Sequence, residues 1–424
     1  MTDERQEPAT AVHRRWGPRA LTLGDQVLSS VSNMLAVVLV ARAVSAEEFG
    51  TFALGYSVLT LVLGLTRGYF GTRVSLEHDD TRARVLTRQL IGSVLIISPV
   101  VVAVVFVLSH VMSGGDPGGI LVIVALATPV VCMQDVGRFG AVAAGKPGAA
   151  FLSDGLWVAL MLIPFALGTR VPAKVVLWLW FAAALAALIT IMTSLRVGPD
   201  LRGGMQQLRT RHAVGEATTW GTVISTSATL WILFVASAAI SPVASGSLRG
   251  ASTAMGPVNV LIAFIGLGLT PMLVRRPRSQ DVSFCLRAGI GLAVIAALWG
   301  GVLLVLPTWL GQAFFGDSWT GIRSVLPVTT VEYVLLCLSA VTTLGLRVNH
   351  LSRDLLTQRI ITGTVTVVLG GVVAFATRST IGIAMATATA AGVAAVVGWT
   401  LFTRHRSEAA GYPAGVTGGD PSDV

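Results

Sequence analysis

Twelve apolar runs alternate with short polar segments along almost the whole chain, at 21–43, 51–70, 90–111, 120–140, 149–168 and 175–195, then 217–240, 250–274, 288–306, 325–346, 360–376 and 381–402. About 20 apolar residues carry a helix across the hydrocarbon core of a bilayer, which is the length of these runs. Backbone groups in lipid must be satisfied internally, so each run is predicted to be a helix. A strand-built barrel is excluded because runs such as 175–195 show no alternation of polar and apolar positions. The expected fold is an all-α polytopic membrane protein with twelve transmembrane helices in two pseudo-symmetric six-helix lobes.

Composition agrees: 53% of the residues are hydrophobic, 12% are charged and the mean hydropathy is +0.76, whereas soluble domains carry about 25% charge. The pI near 10.4 does not point to nucleic acid, because the basic residues are spread over many loops. With the amino terminus in the cytoplasm, twenty-four of the 30 basic residues fall on the inner side. The outer side keeps Arg42, Arg170, Lys174, Arg249, Arg323 and Arg378. That asymmetry obeys the positive-inside rule and places both termini in the cytoplasm. Arginine so outnumbers lysine, alongside abundant Ala, Gly and Val, that a bacterial cytoplasmic membrane is the expected location.

Residues 1–19, with Asp3, Glu4 and Glu7 among arginines and no small-residue cleavage site, are expected to be a retained cytosolic tail. The chain then divides into an N-lobe at 20–196, a cytosolic connection at 197–216, a C-lobe at 217–402 and a cytosolic tail at 403–424 expected to lack structure. Cys132, Cys285 and Cys337 have no metal or redox spacing and are expected to be buried small hydrophobes. Neither a metal nor a cofactor is expected.

Placing residue i beside i+196 sets Ser29 on Ser225, Ser30 on Thr226, Asn33 on Thr229, Ser45 on Ser241 and Gly50 on Gly246. The first span thus resembles the seventh, and each is followed by the signature Ser-x-x-x-x-Gly. Six spans per half make this a parallel repeat about an axis along the membrane normal.

On a helix, Asp25, Ser29, Ser32 and Asn33 share one face, as do Thr222, Ser225, Thr226 and Thr229 of the seventh span. Either the two stripes line a cavity between the lobes, or they mark helix contacts. Asp25, Asp135, Arg138, Asp154 and Glu332 lie within spans, where an ionised group costs about 2.5–3.5 kcal/mol and rarely faces lipid. Asp135 and Arg138, three residues apart, either neutralise each other or serve in gating and binding. Asp25, Asp135, Asp154 and Glu332 are the candidates for a coupling proton or sodium ion. Arg42 and Arg249, read at the outer ends of the first and eighth spans, suit either a phosphate partner or snorkelling to head groups. Arg67 and Arg347 sit at inner ends, where orientation alone accounts for them. Pro99, Pro129, Pro164, Pro257 and Pro271, the last preceded by Gly266 and Gly268, predict kinks.

No Gly-rich phosphate loop with Lys-Ser/Thr, no His-Glu-x-x-His and no Asp-x-Asp on a soluble face occurs, so the chain is expected to be a carrier with no catalytic residues. The segments Gly24-Asp25-Gln26-Val27-Leu28-Ser29-Ser30, Ala41 to Gly50, Ser247-Leu248-Arg249-Gly250 and Gly256-Pro257-Val258-Asn259-Val260-Leu261 resemble polysaccharide exporters. So does the run from Leu310-Gly311 through Gly316-Asp317-Ser318-Trp319 to Leu326-Pro327. These exporters belong to the superfamily of multidrug, oligosaccharide-lipid and polysaccharide flippases. The resemblance implies two lobes around a cavity, alternating between inward-facing and outward-facing states, and a cargo of sugars on a polyprenyl diphosphate.

Asn33, Arg42, Arg67, Arg138, Arg249 and Asn259 are, by position, the candidate cargo contacts. The leading expectation is a flippase of lipid-linked oligosaccharide for cell-surface polysaccharide. The alternatives are a multidrug efflux antiporter on the same scaffold, or a membrane-embedded polysaccharide polymerase or ligase using the outer segment 307–324. The expected partners are the lipid-linked sugar and the bilayer, with no nucleic acid. A partner glycan polymerase or glycosyltransferase is left open.

Overall fold

The computed structural model describes residues 16–77, 79–113, 119–167, 172–210, 213–264, 273, 281–349 and 351–410. Among them every regular element is helical. In the first half these are α1 (Trp16–Ala43), α2 (Ala46–Thr66), α3 (Asp80–Ser113), α4 (Ile120–Ala143), α5 (Pro147–Leu167), α6 (Ala173–Leu195) and α7 (Leu201–Arg209). The second half contains α8 (Ala213–Ala239), α9 (Pro242–Ala254), α10 (Gly256–Phe264), α11 (Asp281–Val305), α12 (Thr308–Phe315), α13 (Trp319–Val348), α14 (Ser352–Thr377) and α15 (Thr380–Ala410). The residues up to 15 and beyond 410, Gly266, Gly268, Pro271, and the side chains of Thr222 and Ser225 lie outside the described residues.

Ten of the described helices are long and apolar enough to cross a membrane. Their outward faces are apolar: Val111 is 70% exposed and Val305 80%. Surface of that kind, repeated around the bundle, has lipid as its natural solvent. The protein is a multi-pass membrane protein. Helices α1–α6 pack together as one lobe, and α8–α11 with α13–α15 as the other; α2 meets α8 and α9 across the boundary. We name the end of the bundle where α1 starts proximal, and the end where it finishes distal.

Four features depart from the reading of hydropathy. The eighth span begins at Pro242 and not at 250, because Ser245, Gly246, Ser247 and Gly250 are weakly apolar yet small enough to pack tightly. Arg249 therefore stands two turns inside a helix. This span breaks at Met255, two residues before Pro257, which has no backbone N–H to donate. Segment 307–324 is no free loop: it folds into α12 and the start of α13, and Gly316 (φ +54°) lets the turn press on α1, where an added Cβ would stand 2.8 Å from the Ala41 carbonyl oxygen. The connection at 197–216 contains α7, and α15 runs on to Ala410 past the expected boundary at 402. By contrast, Pro99, Pro129 and Pro164 sit inside continuous helices.

The repeat is visible at the distal end. Ser45 caps α2, accepting from the Glu48 N–H at 3.2 Å in a capping box, and Ser241 caps α9, accepting from the Ala244 N–H at 3.4 Å. One turn later the equivalent glycines touch across the lobe boundary: a Cβ on Gly246 would lie 3.2 Å from the Gly50 nitrogen, and one on Gly50 would lie 1.9 Å from the Pro242 carbonyl oxygen. The Ser245 hydroxyl donates to the Gly50 carbonyl at 3.3 Å. The lobes are therefore closed together, backbone on backbone, at the distal end.

Candidate functional site

Four of the predicted ionic residues meet inside the first lobe. Asp25 of α1, Asp135 and Arg138 of α4 and Asp154 of α5 are all buried. The Arg138 guanidinium reaches Asp25 at 2.8 Å, Asp135 at 3.1 Å and Asp154 at 3.0 Å, and donates to the Ser29 hydroxyl at 2.7 Å. Arg67 adds two parallel bonds of 2.8 Å to Asp135, the fork geometry in which Arg and carboxylate bind best. It is the first residue of a π turn, Arg67–Gly71, that continues α2; such turns are often found at functional sites. Gln134 completes the group, donating to the Asp154 carboxylate at 2.7 Å and to the Ser153 hydroxyl at 3.0 Å. Three carboxylates against two guanidiniums leave a formal charge of −1. The cluster is connected through every member, as a buried ionic network must be to offset desolvation.

A second polar region lies between the lobes. A cavity of about 210 Å³ is lined by Ser30 and Asn33 of α1, Arg249 and Ser252 of α9, and Gly256 and Asn259 of α10. The Tyr56 hydroxyl donates to Asn33 Oδ1 at 3.0 Å, and Asn259 Nδ2 donates to the Tyr333 hydroxyl at 2.9 Å. Tyr333 in turn donates to the Ser252 carbonyl at 3.2 Å. Each amide is thus held by a tyrosine from its own lobe. Arg249 Cζ lies 5.1 Å from the centre of the Tyr56 ring, within cation–π range. Its Nε is buried and has no hydrogen-bond partner among the described residues. Arg249 is half-buried, and a desolvated guanidinium nitrogen without a partner is costly unless something else meets it.

The remaining candidates are placed elsewhere. Arg42 sits at the distal end, its Cζ 4.6 Å from the centre of the Phe165 ring and its Nη1 3.4 Å from the Phe165 carbonyl oxygen. Glu332 lies inside the second lobe and accepts from the Thr387 hydroxyl at 2.9 Å. It borders a cavity of about 340 Å³ shared with Gln358 and Arg359. Cys132, Cys285 and Cys337 are buried and free, and no cluster of metal-ligating side chains occurs among the described residues.

No protein-family model matches the sequence, and no curated protein matches it. Solved structures do resemble it. An inward-facing structure of a multidrug resistance MATE family transporter of the MOP superfamily superposes with a TM-score of 0.70 at 14% identity, covering 91% of this chain and 96% of that one. The lipid II flippase MurJ in an inward closed conformation gives 0.65 at 12% identity, over 92% and 87%. An outward-facing structure of a multidrug resistance MATE family transporter of the MOP superfamily gives 0.53 at 16% identity, over 92% and 98%. The chain has the two-lobe fold of MOP-superfamily transporters.

Within this fold the predicted residues divide into three groups. Asp25, Asp135, Arg138 and Asp154 come together with Arg67, which orientation alone had seemed to explain. Asn33, Arg249 and Asn259 come together between the lobes. Arg42 and Glu332 join neither. Asp25, Asp135, Arg138 and Asp154 are turned into the interior of one lobe, where Arg138 pairs with all three carboxylates. Tyr56, Tyr333, Gln134 and Gln358 went unremarked. Their signal was a phenol or amide within an apolar span, which needs a partner when buried.

Proposed function

We propose that this protein is an alternating-access carrier that flips a lipid-linked oligosaccharide, with the anionic head group of the cargo received by Arg249 between the lobes. The observation that carries this reading is the Arg249 guanidinium, turned into a polar cavity at the lobe boundary with no carboxylate to neutralise it among the described residues. Asn33, Asn259, Ser30 and Ser252 supply hydrogen bonds of the kind sugar hydroxyls use. The lipid tail stays in the bilayer. Arg138 and Arg67 are committed to aspartates, which favours a coupling role over cargo contact for that cluster. Its formal charge of −1 suits one proton or one monovalent cation, with Glu332 as a second carboxylate for the same purpose.

Closure at the distal end supports an inward-facing state, with the distal end external by the positive-inside asymmetry. The higher superposition on the inward-facing transporter, 0.70 against 0.53 for an outward-facing one, agrees. Arg249→Ala is expected to abolish surface glycan in cells while protein remains in the membrane, and Arg249→Lys to retain part of it. Unchanged surface glycan in Arg249→Ala would overturn the assignment. Multidrug efflux is the second reading, favoured by the MATE resemblance and by the aromatic Tyr56 and Tyr333 beside the cavity. Drug sensitivity with normal glycan in a deletion strain would select it.

A further inference from the structure

Helix α7, in the connection between the lobes, is clamped to the first lobe through glycine. An added Cβ on Gly204 would stand 2.6 Å from the Ser93 nitrogen, and one on Gly92 would stand 2.2 Å from the Asp200 carbonyl oxygen. The Ser93 hydroxyl donates to the Gly204 carbonyl at 2.9 Å, the Asp200 N–H to the Arg88 carbonyl at 3.1 Å, and Gln207 bonds Gln89 at 2.5 Å. Asp200 caps the helix, accepting from the Gly203 N–H at 3.0 Å. The helix is therefore held in one rotation about its own axis.

At about 100° per residue, that rotation sorts the helix into three sectors. Gly203, Gly204 and Gln207 face α3. Leu201, Met205 and Leu208 form an apolar stripe beside that contact, and Arg202 and Arg209 stand beyond the stripe. Leu208 is partly covered, but Leu201 is 52% exposed and Met205 40%. Arg202, Arg209 and Arg88 of the neighbouring α3 are exposed. The clamp fixes the depth as well: it grips α3 at Gln89–Ser93, where the apolar run of that span begins. Only five residues separate α7 from the end of α6, too few to carry it far from the bilayer.

We propose that α7 lies in the head-group layer at the proximal face, with its apolar stripe dipped toward the acyl chains and Arg88, Arg202 and Arg209 binding the phosphates of anionic phospholipid. An apolar stripe flanked by arginine at the depth where lipid begins is the pattern of an interfacial helix, and the basic group complements an anionic leaflet. A soluble protein partner fits less well, because the stripe is narrow and meets the boundary of the hydrocarbon. The first lobe is then tied to the leaflet while the second is free to move against it. The inference holds whatever the cargo.

The test uses the full chain in vesicles of phosphatidylcholine with phosphatidylglycerol, where the buried native cysteines stay unlabelled. A fluorophore on Met205→Cys is expected to be quenched by brominated lipid and shielded from aqueous iodide, whereas one on Gln206→Cys is quenched by iodide. Equal iodide quenching at both positions would overturn the interfacial placement, and is also what docking to a soluble partner predicts in these partner-free vesicles. In native mass spectrometry the purified protein is expected to retain phosphatidylglycerol over phosphatidylcholine. Arg202→Gln and Arg209→Gln are each expected to weaken that retention roughly fivefold. Retention unchanged in the double variant would overturn the anionic-lipid assignment.

Discussion

Replacing Gly50 by alanine is expected to pry the lobes apart at the distal end. The new Cβ would stand 1.9 Å from the Pro242 carbonyl oxygen, 2.3 Å from its carbonyl carbon and 2.9 Å from its Cα. These are backbone atoms at the start of α9 and cannot rotate out of the way. To restore even 3.0 Å, the oxygen must retreat by at least 1.1 Å. The retreat also strains the Ser245 bond to the Gly50 carbonyl. Within α2 itself alanine is favourable, by about 0.5–1 kcal/mol over glycine in a helix, so any loss arises at the lobe contact. Overpacking of this kind costs about 1–3 kcal/mol. If the closed state alone bears about 2 kcal/mol, the ratio of closed to open states falls roughly thirtyfold. The assay is the distance between nitroxides on Leu167→Cys and Val305→Cys, exposed positions at the distal ends of α5 in the first lobe and α11 in the second. A longer, broader distribution in Gly50→Ala is expected. Gly291→Ala, whose Cβ meets nothing within 4 Å, serves as the control. A distance distribution in Gly50→Ala indistinguishable from that of the parent, with the protein folded, would refute the reasoning.

Arg138→Met leaves three carboxylates in one buried site and is expected to cost about 3–5 kcal/mol, read as a large fall in the melting temperature of detergent-purified protein; adding Asp25→Asn and Asp154→Asn should recover most of it. Arg67→Gln removes a half-exposed partner of Asp135 and is expected to cost less than Arg138→Met in the same melt, while still impairing transport. Tyr56→Phe and Tyr333→Phe each delete one hydroxyl bond to a cavity asparagine, worth about 0.5–1.5 kcal/mol, and should raise the cargo concentration needed for half-maximal export more than they lower stability. Gly204→Leu drives a side chain into the Ser93 backbone and should release α7, seen as faster hydrogen exchange through 201–209.

The all-helical, multi-pass character of the chain was legible in the sequence because a bilayer demands a fixed length of apolar chain, and hydropathy reports that demand locally; ten of the described helices meet it. The repeat was legible at Ser45 and Ser241 and at Gly50 and Gly246, since a helix cap and a close backbone approach each demand particular residue types. The ionic residues at membrane depth stood out for their desolvation cost. Their partners did not. Asp25 and Arg138 are 113 residues apart and Arg67 and Asp135 are 68 apart, and nothing local to either member specifies the other. Only packing, by setting the rotation of α1, α2, α4 and α5, gathers them within one lobe. It also places Arg249 between the lobes with Asn33 and Asn259, on a helix whose Ser- and Gly-rich start reads as a loop. Average hydropathy marks where a chain meets lipid; which polar groups meet each other depends on helix rotation, decided over a few ångströms by side-chain fit.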